Sequence, residues 1–125
     1  MAQEAAARIE RPGIGTAIPR RRYRVGNFSF VILGDIESRD GRDYRWILAA
    51  VVDGESEPGM YITAERLPAR ERDEGQYGVR LILPGGSQVL DRSDAYRDLE
   101  AFAHAAVDLA RTVLNLGDEE VRRLQ

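Results

Sequence analysis

The chain has 125 residues and a formal net charge of −3, a length that suits one domain with its own core. It contains no cysteine, and all 18 of its basic residues are Arg; this excludes disulfides, thiolate nucleophiles, Cys-based metal sites and amine chemistry. The charge is uneven, because residues 1–24 carry six Arg against Glu4 and Glu10, a net of +4 that leaves −7 for the rest.

Taken in chain order, residues 1–22 read as a flexible basic arm, and residues 23–125 as a single α+β domain. Pro12, Gly13, Gly15 and Pro19 interrupt any regular element, apart from a short helical turn near residues 4–9. The arm ends in Arg20, Arg21, Arg22, Tyr23 and Arg24, a basic cluster with an aromatic inside it.

A first strand is expected over residues 23–36. Phe28, Phe30 and Ile32 alternate with Val31 and Leu33, and Gly26 and Gly34 mark a bulge or a strand end. A polar loop with Asp40-Gly41 suits a hairpin. The second strand, residues 43–53, is apolar on both faces beyond Arg45, as a central strand is. In it Tyr44, Trp46, Leu48, Ala50 and Val52 share one face by their spacing of two. A third strand over residues 60–67 ends at Pro68, and a charged loop follows. A fourth spans residues 76–83, turns at Pro84-Gly85-Gly86, and leads to a short fifth strand over residues 87–90.

The helix is the strongest periodic signal. Over residues 93–116, Tyr96, Leu99, Phe102, Ala103, Ala106, Leu109, Ala110 and Val113 form one apolar stripe. Ser93 suits the N-cap and Gly117 the C′ position. A last helical turn is expected from Asp118, its acids early and its Arg residues late. The fold expected is therefore α+β: a curled antiparallel β-meander of four to five strands, packed by one long C-terminal amphipathic helix.

Catalytic chemistry finds little support. The single His104 stands one turn from both Glu100 and Asp108 on the polar helix face, which reads as a solvated ion-pair ladder. No serine has a nucleophile-elbow context. Gly13-Ile14-Gly15 lacks the rest of a phosphate loop. The reading assigns no catalytic residue, no cofactor and no metal ligand.

The expectation is a small non-catalytic binding module that engages a protein, either as a homodimer or through an acidic partner. Surplus apolar surface on the sheet and the basic arm motivate it. The alternative is single-stranded nucleic acid. Arg20, Arg21, Arg22, Arg24, Arg45 and Arg80 would neutralise phosphates, and Tyr23, with Tyr44, Trp46, Tyr61 and Tyr77 on the sheet, would stack on bases. The longest apolar stretch, residues 46–52, has strand length, so no membrane is expected and the location expected is cytoplasmic.

Overall fold

The computed structural model describes residues 11–72 and 75–125. Seven strands form one antiparallel sheet: β1 (Ile14–Val25), β2 (Phe28–Ser38), β3 (Tyr44–Val52), β4 (Met60–Arg66), β5 (Tyr77–Leu83), β6 (Gly86–Ser93) and β7 (Val121–Arg123). The order across the sheet is β6-β5-β4-β3-β2-β1-β7. Six strands thus follow as a meander. The chain then passes through a 3₁₀ turn, Asp94–Arg97, and helix α1, Leu99–Val113. This passage carries it from the β6 edge to the opposite edge, where β7 pairs with β1.

The α+β class with an antiparallel sheet agrees with the sequence, but the strand number is seven rather than four to five. Two differences account for it. The stretch read as one strand over residues 23–36 is two, folded at Gly26-Asn27 with Val25 paired to Phe28. Gly26 holds φ +57°, the left-handed conformation that a two-residue hairpin demands at its first position. The expected last helical turn is instead β7. Arg122 and Arg123 next to Val121 suit a short edge strand, and only the β1 edge, distant in sequence, supplies its partner.

The ordered structure also begins earlier than Tyr23. β1 opens at Ile14 and runs through Gly15 and Pro19. At residues 14–21, β1 has one paired neighbour, β2. A residue without an N–H is tolerated there because only one side needs a ladder. Three register shifts along β1–β2 absorb the irregular residues. The helical turn expected near residues 4–9 lies outside the described residues.

One face of the sheet packs under α1. Val25, Phe30, Ile32, Leu48, Ala50, Met60, Ile62, Ala64 and Val79 meet Phe102, Ala103, Ala106 and Ala110 in the main core. The small residues of the helix stripe let its backbone come close to the strands, as its spacing suggests. Gly34 makes a similar close approach, since a Cβ there would lie 2.7 Å from Trp46 Cζ3.

The helix proper starts five residues later than expected beyond a true N-cap at Asp98, whose carboxylate accepts from the Ala101 amide at 3.0 Å. Ser93 caps the preceding 3₁₀ turn. The helix ends at Asn115, φ +58°, rather than at Gly117. The Leu116 amide bonds the Arg111 carbonyl, and the Asn115 amide that of Thr112, the paired closure of a Schellman end.

The opposite face of the sheet has its own buried cluster: Tyr44, Ile47, Ala49, Tyr61 and Ile82, with Ile14, Leu33 and Ile36 packed against it. The surplus apolar surface expected from the sequence is therefore not exposed. Among the described residues the large exposed hydrophobics are Ile18, Leu90 and Leu124. No described helix is long and apolar enough to cross a membrane.

Candidate functional site

The Arg cluster of residues 20–24 lies within β1, where the strand's alternation and a register shift after Pro19 split it between two faces. Arg21 and Tyr23 turn toward α1. Tyr23 is buried in the main core, and Arg21, also buried, donates to Glu100. Arg20 binds Asp35 at 3.0 Å. Arg24 grips Asp53 with two bonds of 2.7 and 2.5 Å, a fork on a carboxylate. That grip holds Asp53 below the usual carboxylate range. Arg22 donates from Nε to the Gln125 side chain at 3.1 Å.

The remaining two candidates stand apart. Arg45 is the extra residue of a bulge in β3, since Tyr44 opposes Glu65 and Trp46 opposes Ala64 on β4. The bulge overturns the expectation that Tyr44 and Trp46 share a face: Trp46 packs in the helix-side core and Tyr44 in the other cluster. The Arg45 guanidinium lies 4.7 Å from the Trp46 ring centre, and both side chains donate to the Arg97 carbonyl. Arg80 is half-buried on the outer face and binds Glu65 at 2.9 Å. Trp46, Tyr44 and Tyr61 are all buried, on different faces, so they do not form one stacking surface.

Tertiary structure adds what the sequence does not display. Pairing of β7 with β1 sets Tyr23 opposite Arg123 and Arg24 opposite Arg122. Like charges directly across a strand pair are unfavourable, yet two basic segments from the two ends of the sequence meet here. Among the described contacts, Arg22, Arg122 and Arg123 have no Asp or Glu partner. Arg22 and Arg123 are bonded to Gln125 instead.

Behind this corner a groove of about 320 Å³ opens between α1, β1 and β7, lined by Arg21, Tyr23, Glu100, His104, Asp108, Arg111 and Arg123 among others. Its carboxylates turn to arginines rather than to His104: Glu100 to Arg21, and Asp108 to Arg111 at 3.9 Å. Arg111 also donates to the Gly117 carbonyl at 2.8 Å, which ties the end of the helix to the approach of β7. Its Nε is buried without an acceptor. Sequence reasoning missed Arg111, Arg122 and Arg123 as site residues. The signal for Arg122 and Arg123 was the late Arg pair, which reads as a helix end, and Arg111 read as one more residue of the polar helix face.

No protein-family model matches the chain, and neither the curated proteins nor the solved structures yield a significant match. Among the described residues no group of three or more His, Asp or Glu gathers as metal ligands would.

Proposed function

We propose that this protein is a non-catalytic binding module whose β1–β7 corner engages an acidic segment of a protein partner. The observation that carries the reading is that Arg22, Arg122 and Arg123 meet at the β1–β7 edge without an Asp or Glu partner among the described contacts, Arg123 lining the groove on the α1 face and Arg22 and Arg122 standing on the other face. Bringing like charges together costs stability, and an anionic partner offsets that cost. The groove carboxylates Glu100 and Asp108 are engaged by Arg21 and Arg111, so neither orients His104 as a general base requires.

A protein partner is favoured over single-stranded nucleic acid for two reasons. The aromatic rings that would stack on bases are mostly packed in the two cores. The corner is also bounded by Glu119 and Glu120, which line a cleft with Arg24 and Arg122. A long polyanion would meet these carboxylates, whereas a short acidic segment need not. A second copy of the chain is one such partner: Glu55 lies on an exposed turn, between Asp53 and Glu57, which are bonded to Arg24 and Arg11.

The test is calorimetric titration with hexaglutamate and with a thymidine oligonucleotide, at low and at physiological salt. The peptide is expected to bind, to weaken as salt rises, and to be lost in the triple variant R22E/R122E/R123E. Peptide binding that the triple variant leaves intact, or no binding at low salt, defeats the proposal. Preference for the oligonucleotide returns the nucleic-acid reading.

A further inference from the structure

Within the groove, the two arginines and their carboxylates are buried unequally. The Arg21 side chain is 10% exposed while its partner Glu100 is 71% exposed. Arg111 and Asp108 stand at 26% and 72%, and only at 3.9 Å. In each pair the cation is built into the wall and the anion reaches in from solvent on the helix surface. An exposed carboxylate held this way gains little, because water screens the pair and the side chain must give up its freedom. Arg111 also keeps a buried Nε–H without an acceptor, a donor whose desolvation is not repaid.

We infer that Arg21 and Arg111 form a seat for a carboxylate and that Glu100 is its internal occupant, displaced when a ligand enters. The ligand class is the side-chain carboxylate of an acidic peptide. A guanidinium presents paired donors to the two oxygens of such a group, and the groove, at about 320 Å³, admits one. The inference rests on the acidic-partner reading above and deepens it: the corner arginines draw the segment in, and the seat takes one of its side chains. Glu100 then competes with the partner for Arg21 and sets a threshold on binding.

The experiment is titration of hexaglutamate into the wild type and three variants. E100Q removes the competitor and is expected to bind about fivefold more tightly, the scale of one partly screened ion pair. D118N removes a charge next in sequence to Gly117, whose carbonyl Arg111 binds, and outside the groove lining, and its gain is expected to be markedly smaller. R21K/E100Q keeps a cation but loses the fork, and the E100Q gain is expected to vanish. Glu100 lies on the exposed helix face, so E100Q is expected to fold, and a thermal melt of each variant confirms this. The seat is refuted if E100Q binds no more tightly than wild type, if D118N gains as much, or if the gain survives R21K. Loss of binding in R22E/R122E/R123E alongside no gain in E100Q leaves the corner standing and removes the seat. Absence of binding by wild type and E100Q alike removes both.

Discussion

Replacing Glu65 by Ala tests whether the outer face of the sheet depends on a buried ionic network. Glu65 lies on β4 with its side chain 8% exposed. It accepts from the Thr63 hydroxyl at 2.7 Å, from Arg80 Nε at 2.9 Å and from Arg42 Nη1 at 3.0 Å. Alanine leaves these donors unequally stranded. The Thr63 hydroxyl is fully buried, and losing its acceptor costs about 1–2 kcal/mol. Arg80 is 19% exposed and keeps the Ser87 hydroxyl at 3.2 Å, so losing its carboxylate costs about 1.5–2 kcal/mol. Arg42, 44% exposed, rehydrates at little cost. The expected loss is about 3 kcal/mol, a fall in Tm of roughly 10 °C for a chain of this length. E65Q retains an acceptor oxygen and is expected to lose about half as much.

Urea denaturation followed by circular dichroism measures these values, and an unchanged m-value keeps the comparison valid. The double variant E65L/R80L removes both charges, and its loss is expected to be smaller than the sum of the single losses. A loss below about 1 kcal/mol for E65A refutes the reasoning, since the network would then be solvated rather than buried. The result also fixes the role of Arg80. If Arg80 holds Glu65, its variants lower stability and leave hexaglutamate affinity unchanged.

Other outcomes follow from the same geometry. G34A places a Cβ 2.7 Å from Trp46 Cζ3 and 2.9 Å from Arg20 Cγ, and is expected to cost about 1–3 kcal/mol, with a shift in tryptophan fluorescence. N115A forces a Cβ-bearing residue without a side-chain amide into φ +58° and is expected to cost about 1 kcal/mol, whereas N115G is expected to be neutral or slightly stabilising in the same thermal melt. Burial raises the Asp40 carboxyl, but bonds from the Tyr44 hydroxyl and the Gly13 and Arg42 amides outweigh it, and the net shift is downward. A carboxyl lowered in the folded state contributes stability above its unfolded value, about 3.9, that is lost as pH falls through the lower folded value. D40N is therefore expected to flatten the acid limb of a stability–pH profile below about pH 4; an unchanged limb assigns acid sensitivity elsewhere.

Much of the fold is legible from local pattern, because alternation and helical spacing act over neighbours in sequence. Strands β3, β4 and β5 lie within about one residue of their expected bounds. The stripe from Leu99 to Val113 is the buried face of α1, though Val107 joins it as well. Other features depend on partners that no local window contains. The bulge at Arg45 turns Tyr44 and Trp46 to opposite faces, and only the register against β4 reveals it. Pro19 breaks a central strand but not an edge strand, and being at the edge is a property of the whole sheet.

The candidate site divides in the same way. The sequence by itself determined a basic segment at residues 20–24, an amphipathic helix with Glu100 and Asp108 on its polar face, and the chemistry that no Cys and no Lys rule out. Only the tertiary structure decided what these features meet. Arg122 and Arg123 read as the end of a helix because acids precede them and the helix dipole favours that order. They form a strand because α1 crosses the sheet and delivers them to the unpaired edge of β1, whose N–H and C=O groups they satisfy. That closure over nearly a hundred residues of intervening chain sets the two basic segments side by side and turns the polar helix face into one wall of a groove.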